Sequence, residues 1–202
     1  MSSHPKKLTY QDVKNRILKY NFYDEELNPY GAGINNEFSR VWIPTSEDSG
    51  YAVVIDLATE LMWWWDGGIN LDEEMRRKEF LNSNYGGYKD WRIPRISELL
   101  SLVASKVKDS DLGHVDTVFR EEDYYDFTSA NQVKGENEYW GVSLISGCVT
   151  RTGTEHICKP VRDMQSHDYQ NPIFQDMNFN GYAQDFYNRK HNTTVDRIRI
   201  RF

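Results

Sequence analysis

Two thiols and five imidazoles are the side chains of this 202-residue protein most suited to covalent or metal chemistry, and their spacing decides whether they can do any. Cys148 and Cys158, with His156 between them, are the one place where a nucleophile and a base lie close in sequence; the chemistry there would be thiolate attack or thiol–disulfide exchange. No Cys-x-x-Cys or other activating motif accompanies them, which favours structural cysteines. The turn signal Thr152-Gly153 lies between two β-prone runs, so the pair is expected to face each other across a hairpin. They would be thiols in a reducing compartment and a cross-strand disulfide in an oxidising one. Two cysteines do not by themselves make a zinc site. His4, His114, His156, His167 and His191 are scattered, without the His-x-x-x-His or His-Glu-x-x-His spacing that gathers metal ligands. A Gly-x-Ser-x-Gly elbow for serine hydrolysis is absent. The acidic runs Asp72-Glu73-Glu74 and Glu121-Glu122-Asp123 have the oxygen ligands a hard cation needs, but such runs are mostly solvated faces. The expectation is therefore no enzyme, with no catalytic residue, no metal and no cofactor.

The aromatic residues point elsewhere. They make up 14% of the chain, including six Trp and thirteen Tyr, enough to supply large buried surfaces. In Trp63-Trp64-Trp65, neighbours on an extended strand face opposite sides, so one ring must be exposed, cover another element or meet a partner. Later in the chain, rings alternate with Asn, Asp and Gln, a mixture suited to recognition because rigid rings give contact area while short amides adapt. The residues expected to bind a ligand are Trp64, Tyr139, Tyr169, Phe179, Tyr182 and Tyr187, on a face built from the loops after Gly135 and the C-terminal stretch. The competing reading is that these rings pin a long loop to the body of the domain.

Positioning such a face requires a framework. Thr9 is a good helix cap, and Leu8, Val13, Ile17, Leu18 and Phe22 recur at helical spacing, predicting an amphipathic helix over residues 10–21. β-Branched and aromatic runs at 41–43 and 51–55, separated by a turn at 47–50, predict a hairpin, and 61–65 a further strand. Residues 71–82 carry helix formers, and 97–103 read as a helix preceded by Pro94. The stretch 109–126 reads mostly as loop. Short strands are expected at 127–130, 139–145, 148–150 and 156–161, punctuated by glycines, with a terminal strand at 197–202 where Arg197, Arg199 and Arg201 alternate with apolar residues. Regular strand–helix alternation is missing, so the fold class is α+β and loop-rich, with two main helices and several short antiparallel strands. The expected organisation is a single domain over 1–202, with a helix and lead-in at 1–40, a core at 41–163 and an extension at 164–202.

One stretch organises the rest. Gly86-Gly87 permits tight backbone geometry, Trp91 is a large core anchor, and Asp90 and Arg92 would lie on the side opposite it, free to form charge-assisted pairs. The run Gly86-Gly87-Tyr88-Lys89-Asp90-Trp91-Arg92-Ile93-Pro94, followed by Glu98-Leu99, resembles the signature of the Lcl C-terminal domain family. Three further segments keep the family's order: Thr59-Glu60-Leu61-Met62-Trp63, Phe127-Thr128-Ser129-Ala130 and Lys159-Pro160-Val161-Arg162. The lead-in around Asn28-Pro29 and Gly31-Ala32-Gly33 also resembles that found before some of these domains. Gly87, Asp90, Trp91, Arg92, Pro94, Glu98 and Arg162 are accordingly expected to be structural. The resemblance implies a C-type-lectin-like fold, related in shape to formylglycine-generating enzymes and to the variable ligand-binding proteins of diversity-generating retroelements. It also implies surface or secreted modules, one of them an adhesin for sulfated polysaccharides. The chain departs from the pattern at Phe127, where the family has a Trp-containing pair, and in the forty or so residues beyond the closing motif.

Charge and hydropathy narrow the partners. A formal net charge of -7 disfavours a nucleic-acid backbone, and no stretch approaches the roughly 20 apolar residues of a membrane span. The polar start shows no secretory signal, which predicts a cytoplasmic location unless export takes another route. The resulting expectation is a binding module for a protein or glycan, oligomer possible. The alternatives are an assembly subunit, which an exposed Trp63 or Trp65 would suit, and an enzyme centred on Cys148, Cys158 and His156.

Overall fold

A computed structural model describes residues 6–45, 49–65, 69–70, 84–104, 113–119, 126–152 and 157–168. Of these, the residues up to Arg162 belong to one compact unit and residues 163–168 to a second. The predicted helix at 71–82, the acidic runs, the terminal strand and His4, His156 and His191 lie outside the described residues.

Helix α1 (Tyr10–Lys19) starts at Thr9, whose Oγ1 accepts the Asp12 N–H at 3.2 Å while the Asp12 carboxylate accepts the Thr9 N–H at 2.8 Å. This reciprocal cap satisfies donors that the first turn cannot pair internally. Val13 and Ile17 are buried, whereas Leu18, about 100° further round the helix, is 50% exposed and is not part of the core face. The lead-in that follows is held by Asp24, a fully buried carboxylate accepting the N–H groups of Glu26, Leu27 and Val149.

Strands β1 (Phe38–Pro44) and β2 (Gly50–Asp56) form the expected antiparallel hairpin, and β3 (Leu61–Trp64) pairs antiparallel with β2. β4 (Ile69–Asn70) follows; helix α2 (Ile96–Ser101) lies behind Pro94 as predicted. The later strands are β5 (Asp126–Gln132), β6 (Tyr139–Ser143), β7 (Cys148–Thr152), β8 (Ile157–Cys158) and β9 (Val161–Asp163). They form sheets in the orders β1-β2-β3-β9, β4-β8 and β5-β6-β7. The class is thus mixed α+β with antiparallel sheets. The predicted strand at 156–161 is two strands, because Lys159-Pro160 intervenes and proline donates no N–H to a ladder: β8 pairs with β4, while β9 joins β3. Within the expected loop at 109–126, Thr117–Phe119 is a turn of 3-10 helix and Asp126 already belongs to β5.

β1 alternates, with Val41 and Ile43 buried and Arg40, Trp42 and Pro44 exposed, as an edge strand with one covered face should. β2 is buried at every position from Ala52 to Asp56, so its sheet is covered on both faces. On one face Val54, Leu61 and Trp63 share a core with Ile17, Leu99, Phe127 and Trp140. On the other, Ile43 packs beneath Gly86, where an added Cβ would lie 3.0 Å from its Cδ1.

Candidate ligand site

The Trp63-Trp64-Trp65 run resolves by strand alternation. Trp63 is fully buried in the main core, which removes it as an exposed assembly contact. Trp65 is half-buried: the Arg40 guanidinium lies 3.4 Å over its ring, and its indole N–H donates to the Val118 carbonyl at 3.0 Å. Both side chains therefore cover other parts of the chain. Trp64 faces the other side of the sheet and meets Tyr85 with ring centroids 3.7 Å apart and planes 30° apart. Tyr51 joins from β2, 4.5 Å from Tyr85, because Val53 pairs with Trp64 and Tyr51 lies two residues along on the same face.

Behind these rings stands the glycine-rich turn. Gly86 and Gly87 hold φ of 61° and 83°, a left-handed conformation that strains residues with a Cβ. The turn places the Tyr85 hydroxyl on the Ala52 carbonyl at 2.7 Å and the Tyr85 carbonyl 3.0 Å from the Trp91 indole nitrogen, which donates to it. Trp91, 4% exposed, meets Tyr85 and Tyr88 edge-on. Its neighbours make two bidentate ion pairs. Arg162, 1% exposed, donates from Nε and Nη2 to Asp90 at 2.7 and 3.1 Å and lies 4.0 Å over the Tyr88 ring. Arg92 donates to both Glu98 oxygens at 2.8 and 2.9 Å, and Glu98 also accepts the Arg95 N–H at 2.6 Å at the start of α2. The backbones of Arg92 and Val161 exchange two hydrogen bonds of 2.9 Å, and the Pro94 carbonyl accepts from Ala130 at 2.7 Å. One short segment thus ties β9, α2 and β5 together.

The result is a stacked aromatic floor on a braced backbone. Thr45, Tyr51, Trp64, Asn84, Tyr85 and Gly87 line an open depression of about 420 Å³, and none of them is charged. Of the residues named from the sequence for a ligand face, Trp64 lines this depression; Tyr51 and Tyr85, which the structure gathers beside it, were not among them. The adjoining glycines, Gly50 before Tyr51 and Gly86-Gly87 after Tyr85, are the signal that these rings sit at backbone turns beside the strand. Tyr139 is half-buried at the start of β6, in a different sheet from Trp64, so the structure does not join the two through strand pairing. Tyr169, Phe179, Tyr182 and Tyr187 lie outside the described residues. The turn at Gly135 is described, with φ of 91°.

The thiols do not face each other across a hairpin. Cys148 pairs with Ser143 in one sheet and Cys158 with Ile69 in another, because β7 returns along β6 rather than along β8. Both are free. Burial pushes the Cys158 thiol strongly upward and also raises Cys148, so both stay protonated at neutral pH. Tyr23 stacks on His114 with centroids 4.9 Å apart, and its hydroxyl is raised to about 12, chiefly by its hydrogen bond to Glu25. Among the described residues no cluster of His, Cys, Asp or Glu is arranged to hold a metal, and no helix is long and apolar enough to cross a membrane.

An α+β domain with a glycine turn, a tryptophan anchor and paired arginines is the class these features define. The Lcl C-terminal domain model matches residues 52–162, more than half of the chain, and the chain belongs to that family. No curated protein and no solved structure matches it.

Proposed function

We propose that this chain is a non-enzymatic binding module on a C-type-lectin-like fold, taking a glycan or protein ligand at the aromatic surface centred on Trp64. The observation that carries the reading is the depression floored by Tyr51, Trp64 and Tyr85. Binding sites are typically concave, mostly apolar and edged by a few polar groups, and this one is backed by the ion-paired Trp91 segment, which holds its rings in place before a ligand arrives. The raised thiols count against the enzyme reading, since a protonated cysteine is a poor nucleophile. An assembly role has one observation in its favour, Trp42, 55% exposed on the edge strand β1.

The test is a combined glycan and protein array probed with the purified chain, with Trp64→Ala and with chain whose accessible cysteine is alkylated. The binding reading predicts capture that Trp64→Ala loses and alkylation leaves intact. A blank array together with a dimer or larger species in solution mass measurements would instead favour assembly.

A further inference from the structure

We propose that the occupant of the Trp64 depression is an uncharged sugar ring. The inference rests on the binding reading above and adds the chemistry of the ligand. A pyranose presents one face of C–H bonds, slightly positive and apolar, and an equator of hydroxyls that both donate and accept. The flat face suits the negative face of an aromatic ring, and the hydroxyls need partners at the rim. The depression offers both. Its floor is Tyr51, Trp64 and Tyr85, and its rim carries the Asn84 carboxamide and the Thr45 hydroxyl. Asn84 is exposed, and neither its carboxamide nor the Tyr51 hydroxyl makes a hydrogen bond among the described residues, so both are available to a ligand. Thr45 shares its hydroxyl with Ser49 at 2.9 Å.

Two further observations separate this ligand from its rivals. Among the described residues no lysine, arginine or histidine lines the depression, so these residues supply a sulfate or carboxylate with no counter-charge. An extended peptide usually gains affinity by adding to a free sheet edge. Here the floor residues Tyr51 and Trp64 belong to β2 and β3, which are interior strands with neighbours on both sides, so the floor itself offers no edge, and β1 beside it is an edge strand of the sheet. A flat ring held by its face needs none.

The experiment is affinity electrophoresis of the whole chain through gels containing soluble neutral polysaccharides, namely mixed-linkage β-glucan, galactomannan and xyloglucan, with heparin and polygalacturonate as charged counterparts. Retardation is expected on at least one neutral gel, weakened about tenfold by Trp64→Ala and about three- to tenfold by Asn84→Ala, and unaffected by 0.5 M salt as about the upper limit tested. Because Trp64 also packs on Tyr85, Asn84→Ala and Tyr51→Phe serve as exposed or near-isosteric variants that leave the fold in place. Retardation only by the charged polymers, or by none, overturns the proposal. Neutral binding that survives all three substitutions keeps the sugar but overturns the site. Capture of a peptide that depends on Trp64, with no neutral glycan bound, keeps the site and overturns the sugar.

Discussion

The segment around Trp91 and the depression around Trp64 share an aromatic cluster, with Trp64 and Trp91 rings 5.9 Å apart, yet they are built on opposite principles. Around Trp91, charge is used for geometry: Arg162 and Glu98 are 1% and 2% exposed, and each is held in a two-point pair that fixes a backbone crossing. Bidentate pairs of this kind specify orientation as well as adding energy. Around Trp64, the described lining residues carry no charge, and Tyr51 and Trp64 are only partly covered while Tyr85 is buried behind them. On the proposed function, the difference separates holding from binding. A buried ion pair tolerates little change because removing one partner strands the other, whereas a half-covered ring on a fixed backbone can exchange water for a ligand at small cost.

That contrast breaks first at Trp91. Trp91→Ala is expected to cost about 3–5 kcal/mol, read as a shift in the denaturant midpoint, and to take ligand binding with it because Tyr85 loses its support. Full stability in this variant would show that the anchor lies elsewhere. Next in size is Glu98→Gln, which keeps the shape but leaves Arg92 without its counter-charge; Arg92 is 27% exposed, so the loss should be about 2 kcal/mol, with binding retained in the folded fraction.

Asp56 gives a third handle, at the end of β2 remote from Tyr51. Burial raises its carboxyl above the ordinary 3.8, although its oxygens accept from Glu37, Ala58 and Thr59. From that ordinary value upward the unfolded chain gives up the proton first, so stability should fall as pH rises through the window to the folded value. The slope is at most about 1.4 kcal/mol per pH unit. In unfolding curves between about pH 3.5 and 7, the stability of the native chain relative to Asp56→Asn should show this decline. The smallest effect is expected at Trp42, which pairs with Ala52 and so faces away from Tyr51. Trp42→Ala should change stability by no more than about 0.5 kcal/mol and leave binding alone. Loss of binding there would move the ligand to the other face of the sheet.

Much of this was legible in the residues. Thr9 and the apolar spacing after it marked α1, and Trp91, flanked by Asp90 and Arg92, marked an anchor with polar groups on its far side. Local chemistry of this sort is written in a few neighbours. What was not legible depends on pairings distant in sequence. That Arg162 would reach Asp90 follows from β9 returning beside Arg92, not from any local pattern. The cysteine hairpin failed for the same reason, since a turn signal says that the chain reverses but not which strand it joins next. Tyr51 and Tyr85 were missed because their partnership with Trp64 is a matter of register across three segments.

The central claim, that one aromatic group binds while its neighbour only supports, can be read from the six tryptophan indole N–H signals in a single nitrogen–proton correlation spectrum. On titrating mixed-linkage β-glucan oligosaccharides, the Trp64 signal should move with ligand while those of Trp63 and Trp140, both buried in the main core, stay fixed. Movement confined to Trp42 or Trp65, or no movement at Trp64 when binding is otherwise detected, would contradict it.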